Sequence, residues 1–154
     1  MNGTIGIDHP ARRATLGDQL RRHAQHHPGK AAVVFYRPDG SREEVSYSEL
    51  NRRANALASH FGRLGVGRGD SVAMMSRNSP DYIVAWYASL KLGAAFTGVN
   101  FTFTEKEITY QINHAAPKVV VVEDVFREKF ELSQPHLATR SEEHTSELQS
   151  RFGI

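Results

Sequence analysis

The sequence predicts an α/β fold of parallel-sheet βαβ units, incomplete, with a β-hairpin near residues 31–46. Three observations predict it. From residue 71 onward, short β-forming runs alternate with stretches of helical period, joined by short connections. Strand, helix and strand in that rhythm make right-handed crossovers and a parallel sheet. Val119 to Val122 is an unbroken β-branched run, which suits a strand covered on both faces. Upstream, Pro38-Asp39-Gly40 separates two β-forming stretches, a hairpin turn signal.

Taken in order, residues 15–26 predict a first helix with Leu16 and Leu20 four apart, stopped by Pro28-Gly29. Residues 31–36 (AAVVFY) predict a strand, and 43–45 its return arm. The next helix is the clearest. Ser46 and Glu49 stand in capping-box spacing, and Leu50, Ala54, Leu57, Phe61 and Leu64 trace one apolar stripe. Asn51, Arg52, Asn55 and Ser59 form the opposite, solvated face, and Gly65 sits where a left-handed cap is wanted. Residues 71–75 predict a strand. Ser79-Pro80 opens a helix to about residue 92 that Gly93 ends, and 94–99 is a second strand. Thr104 and Glu107 form another capping box, starting a helix that runs to about residue 115 before Pro117. After the valine run, Asp124 starts a last helix to about residue 132. No further strand follows before residue 140, so an exposed sheet edge and marginal stability of the chain alone are expected.

Composition narrows the function classes. A chain of 154 residues holds one domain with a real core. Nineteen Lys and Arg face 17 Asp and Glu, interspersed, for a formal net charge of +2, which argues against a dedicated nucleic-acid or membrane surface. The absence of cysteine excludes disulfides, thiolate metal sites and cysteine nucleophiles. The N-terminus lacks the apolar stretch of a secretory signal. The most apolar region, 82–101, is broken by Lys91, Gly93, Gly98 and Asn100, and a bilayer span needs about 20 predominantly apolar residues. A cytoplasmic protein is expected, with no transmembrane segment and no nucleic-acid partner.

Gly62, Gly65, Gly67 and Gly69 suggest a phosphate loop, but a phosphate cradle lies between a strand and the next helix, and here the glycines follow a helix. They read as a cap and turn. His23 and His27 share a helical face beside His26, without the Glu of a zinc-protease motif or a third ligand. No G-x-S-x-G elbow is present. Asp39, Glu43 and Glu44 mark the hairpin, while Glu105, Glu107, Glu123 and Asp124 mark helix starts, where negative charge is favoured. Tyr82, Trp86 and Tyr87 lie along one helix and read as packing groups. No catalytic, cofactor-binding or metal-ligating residue is assigned.

Residues 45–100 resemble the early part of the adenylate-forming superfamily, the AMP-forming acyl-CoA synthetases. Ser46 to Leu50 is similar to that family's first core motif, a Ser/Thr-Tyr-x-Glu-Leu helix start. Leu90 to Asn100 is similar to its second, a Leu-Lys-x-Gly-Ala helix end running into a strand. The continuation, a Thr-x-x-Glu helix start and then Pro-Lys-Val-Val-Val-Val, fits too, so the resemblance covers about residues 16–130. One departure stands out: many members carry proline shortly before the position of Asn100, where this chain has Gly98-Val99. The resemblance implies a carboxylate–CoA ligase that joins a fatty or related acid to ATP, releases pyrophosphate and passes the acyl group to coenzyme A, with Mg as the companion ion. It also implies a Ser/Thr/Gly-rich loop ending in Pro-Lys, an acidic group on the ribose and a late lysine. None of these occurs in residues 1–139. Phosphoryl chemistry needs positive charge held against developing negative charge, so the chain by itself is expected to be inactive. Two alternatives are a stand-alone flavodoxin-like interaction or regulatory domain, and a fragment of another adenylate-former such as a peptide-synthetase adenylation domain.

The tail is a separate matter. Residues 140–150, RSEEHTSELQS, resemble the in-frame translation of a sequencing-adapter oligonucleotide, whose frame continues through residue 154. The expected organisation is therefore 1–139, a truncated N-terminal part of an AMP-binding synthetase/ligase domain, and 140–154, a non-native, disordered tail.

Overall fold

The computed structural model describes residues 15–134 and 142–143. An antiparallel hairpin and a parallel sheet are held together by helices: α1 (Leu16–His26), β1 (Ala31–Tyr36), β2 (Arg42–Ser46), α2 (Tyr47–Arg63), β3 (Ser71–Met75), α3 (Pro80–Lys91), β4 (Ala95–Val99), α4 (Glu105–Ala115), β5 (Val119–Val122), α5 (Arg127–Ser133) and the two-residue β6 (Glu142–Glu143). Among the described residues β1 pairs only with β2. The second sheet runs β4-β3-β5-β6, with every pair parallel. The α/β class, the parallel sheet and the hairpin agree with the sequence.

The starts of α1 to α4 have local causes. Thr15 and Asp18, and again Thr104 and Glu107, form complete capping boxes, while Ser79 accepts from the Tyr82 N–H with Pro80 in the first turn. The helix ends repeat one device. After α2, the Gly65 N–H bonds to the Gly62 carbonyl and the Val66 N–H to the Phe61 carbonyl, with Gly65 at φ +80°. After α3, Gly93 at φ +71° and Ala94 bond to Leu90 and Ser89 in the same way. Both are Schellman closures, and the αL residue is glycine in each.

α4 departs from this rule. Its cap, Ala116, holds φ +42° and bonds to the Ile112 carbonyl, so a side chain stands in the left-handed region. Ala116→Gly is expected to stabilise the chain by about 0.5–1 kcal/mol, the left-handed strain released less the extra entropy of an unfolded glycine. Urea unfolding at neutral pH measures it, and a destabilised variant would show that the alanine methyl contributes packing.

Two cores flank the sheet. Leu20, Leu57, Phe61, Val72, Val84 and Val121 belong to one, on the side of α1, α2 and α3. Met75, Ile108, Ile112, Val120, Val122 and Phe130 belong to the other, under α4 and α5. All four β5 valines are buried, alternating between the two cores, as the unbroken run predicts.

Four expectations need correction. Leu16 is 45% exposed, so α1 is anchored through Leu20 and through Gly17, where a Cβ would lie 2.9 Å from Lys91 Cγ. Asn51 is not simply solvated, because its Oδ1 accepts from Lys91 Nζ at 2.9 Å. The Ser46 box is half formed: Ser46 Oγ caps the Glu49 N–H, but the Glu49 carboxylate is taken by Arg52 and Arg53. The last helix begins as a 3-10 turn over Asp124–Phe126, because Phe126 stacks on Phe101 at 4.8 Å and the α-helix starts only at Arg127. The expected non-native tail lies outside the described residues except for Glu142 and Glu143, whose backbone runs alongside Val119 and Val120.

Candidate functional site

β3 comes first in the parallel sheet, with β4 on one side and β5 on the other. The chain thus reverses direction across the sheet between β3 and β5. In open α/β sheets the crevice outside the carboxyl ends at such a switch point is where ligands bind. A cleft of about 520 Å³ lies there, between the hairpin, α2 and α3.

Arg77 and Glu123 pair with each other across the cleft, while Arg37, Arg52 and Arg53 are held by glutamates outside its lining. Arg77, just after β3, gives its backbone N–H to Glu123 Oε2 at 2.8 Å and its Nε to Oε1 at 2.9 Å, and Nη2 bonds to Oε1 as well. Glu123, just after β5, hands its own N–H to the Met75 carbonyl. Burial pushes the Glu123 carboxyl up, but the side-chain and backbone bonds from Arg77 outweigh it and hold the carboxyl below its ordinary value. Sequence reading assigned Glu123 to a helix start, yet its partner lies 46 residues away.

Two groups stay unmatched. Arg53 Nη1 and Asp81 Oδ1 are shielded from solvent without a hydrogen-bond partner. Burial raises the Asp81 carboxyl above its ordinary value, only partly offset by the positive Arg53. Glu49, on the rim, is the opposite case. Hydrogen bonds from Arg52 and then Arg53 pull its carboxyl from 4.5 down to about 2. A depressed folded-state value contributes stability in full above the unfolded value and loses it as pH falls toward the folded one. Glu49→Gln is therefore expected to cost less than about 1 kcal/mol at pH 7, since the pair is partly solvated. The gap from the parent chain should close between pH 4.5 and about 2 in acid-denaturation curves.

The residues singled out in the sequence resolve as follows. The glycine turn is closed internally: Asp70 Oδ2 accepts the Gly67 N–H at 2.7 Å, and Lys118 Nζ donates to the Gly65 carbonyl at 2.6 Å and to Asp70 at 3.3 Å. Asp70 already takes the backbone N–H that a phosphate would need, so the turn does not fit the phosphates of ATP. His23 stacks on Tyr47 at 5.0 Å and faces His27 at 6.4 Å, as a packing pair. Among the described residues no group of three or more His, Cys, Asp or Glu could hold a metal. Tyr82 meets Phe96 edge-on at 5.3 Å, and Trp86 lies against Tyr87. Sequence reasoning missed Arg53 and Asp81, because each has an ordinary local reading and only the fold brings them beside Arg77 and Glu123.

A family model described as AMP-binding enzyme matches residues 20–152. The chain belongs to the AMP-binding enzyme family. Among relatives of this family, the crotonobetaine/carnitine–CoA ligase of Proteus mirabilis is 35% identical over 97 residues, 63% of this chain and 19% of that protein. Tyrocidine synthase 2 of Brevibacillus parabrevis is 31% identical over 122 residues, 79% of this chain and 3% of its own length. A solved structure of a long-chain-fatty-acid CoA ligase from Rhodopseudomonas palustris superposes with a TM-score of 0.75 at 31% identity, over 86% of this chain and 33% of that one. The chain thus spans about a fifth of the Proteus ligase's length. Family membership and fold agree with the resemblance carried by the capping and Leu-Lys-x-Gly-Ala motifs. No helix among the described residues is long and apolar enough to cross a membrane.

Proposed function

We propose that this chain is the amino-terminal portion of a carboxylate–CoA ligase that activates a fatty or related acid with ATP and Mg and transfers it to coenzyme A. The observation that carries this is the similarity to the Proteus CoA ligase, at 35% identity over 97 residues, with the Rhodopseudomonas structure beside it at 31%. A cytoplasmic location and a place in fatty-acid metabolism go with it, since ATP and coenzyme A are the co-substrates. Residues 1–139 are the family portion and 140–154 the adapter-derived tail in this reading.

The chain alone is inactive on this reading. Its glycine turn is filled by Asp70, and the arginines at the switch point are held by Glu49 and Glu123. Incubated with ATP, Mg and a panel of carboxylic acids, it is expected to give no acid-dependent pyrophosphate exchange. Measurable exchange would overturn the inactivity. Genomic DNA downstream of codon 139 tests the rest: the frame should continue into a Ser/Thr/Gly-rich loop ending in Pro-Lys, and a stop codon would refute it. A peptide-synthetase adenylation domain is the second reading, favoured by the longer match to tyrocidine synthase 2. The recovered parent distinguishes the two by whether amino acids or fatty acids support exchange.

A further inference from the structure

The cleft at the switch point holds one buried donor and one buried acceptor that nothing in the described chain satisfies. Arg53 enters from α2 with its Nε bound to Glu49 at 2.7 Å and its Nη1 unpartnered. Asp81 enters from the first turn of α3 with Oδ1 unpartnered. Native folds leave few such groups unpaired, so each calls for an explanation. The cleft also presents apolar surface, to which Leu57, Met74 and Val121 contribute.

The chemistry restricts the occupant. A bare anion would meet the carboxylates of Asp81 and Glu123, and a bare cation would meet Arg53 and Arg77. A neutral group offering one acceptor and one donor, with apolar substituents, satisfies both ends. A polypeptide backbone in extended form is such a group. Two further observations favour polypeptide. On the side of β5 away from β3, strand pairing among the described residues reaches Val119 and Val120, while Val121 and Val122, which line the cleft, have none. The solved Rhodopseudomonas palustris ligase has about two thirds of its chain beyond what this one covers.

We infer that the cleft between Arg53 and Asp81 seats an extended segment from the remainder of the ligase chain, whose backbone carbonyl accepts from Arg53 and whose N–H donates to Asp81. The inference rests on the reading of this chain as the amino-terminal portion of a carboxylate–CoA ligase.

The test uses the polypeptide encoded downstream of codon 139 in the parent gene, produced separately and titrated by calorimetry onto the 154-residue chain. One-to-one binding is expected. Arg53→Met and Asp81→Ala should each weaken it about tenfold or more, as loss of one partner from a buried charged hydrogen bond does. Tyr110→Ser, on the 73% exposed side chain of α4, should leave it unchanged. Equal affinity across all four chains, or absence of binding by a downstream polypeptide that circular dichroism shows to be folded, overturns the inference.

A second measurement covers a downstream polypeptide that does not fold by itself. Asp81→Ala should lower Tm by about 5 °C or more in the intact parent, while leaving the isolated chain unchanged or more stable, because there the substitution removes an orphaned carboxylate. The same shift in both backgrounds would sink the idea. An in-frame stop at codon 140 would end the functional reading and this inference together, and it would be read from DNA alone. The binding and melting outcomes bear on the cleft only.

Discussion

Phe61→Ala is expected to remove about 3–5 kcal/mol of folding stability, the usual cost of deleting a fully buried phenylalanine. Phe61 is 1% exposed in the three-helix core, in the last turn of α2. It shares that core with Leu57, Val66 and Val84. Small domains have about 5–15 kcal/mol in total, so the loss removes a large fraction of the stability. Urea titration followed by near-ultraviolet circular dichroism measures the loss. Phe61→Leu, which keeps most of the volume, should lose less. A loss under about 1 kcal/mol for the alanine variant would mean that Phe61 lies outside the core, since cavity formation there cannot be that cheap.

Gly98→Ala is expected to cost about 1 kcal/mol, the low end of the range for overpacking because Gly98 itself is exposed, and Tyr82→Phe is expected to restore most of it. A Cβ at residue 98 would overlap the Tyr82 hydroxyl, while the ring carbon beneath it, Cζ, would stand at 3.5 Å, an ordinary contact. The ring cannot swing aside freely, because it is edge-on against Phe96. Removing the hydroxyl therefore makes room without disturbing the aromatic pair. The Gly98 carbonyl also accepts from Gln111 Nε2 at 2.8 Å, so a backbone shift would disturb α4 as well. The four-variant cycle should show a coupling of about 1 kcal/mol between the two positions, and additive effects would refute the contact.

Most of the fold was legible because its signals are local. The strands Ala31–Tyr36, Ser71–Met75 and Val119–Val122 are β-forming runs closed off by turns or caps, and they form where the sequence places them. Ser79, Thr104, Gly65 and Gly93 act within four residues of themselves, so their roles could be read directly. The misreadings have the opposite origin. Glu49 could bind its own cap or two arginines, and charge decided for the arginines. Residues 124–126 could begin an α-helix, but a ring 25 positions earlier in the chain fixed Phe126. The cleft was illegible for the same reason. Arg53 reads as one more polar residue of a helix and Asp81 as a first-turn acid; their burial comes from the stacking of α2 and α3 on the sheet, which no short window contains.

β3 is flanked on both sides by strands that come later in the sequence. A nascent chain leaving the ribosome therefore displays Ser71–Met75 with neither lateral partner until β4 emerges, and with one edge still bare until the valine run follows. During that interval one of the most apolar stretches of the molecule could pair with any passing backbone.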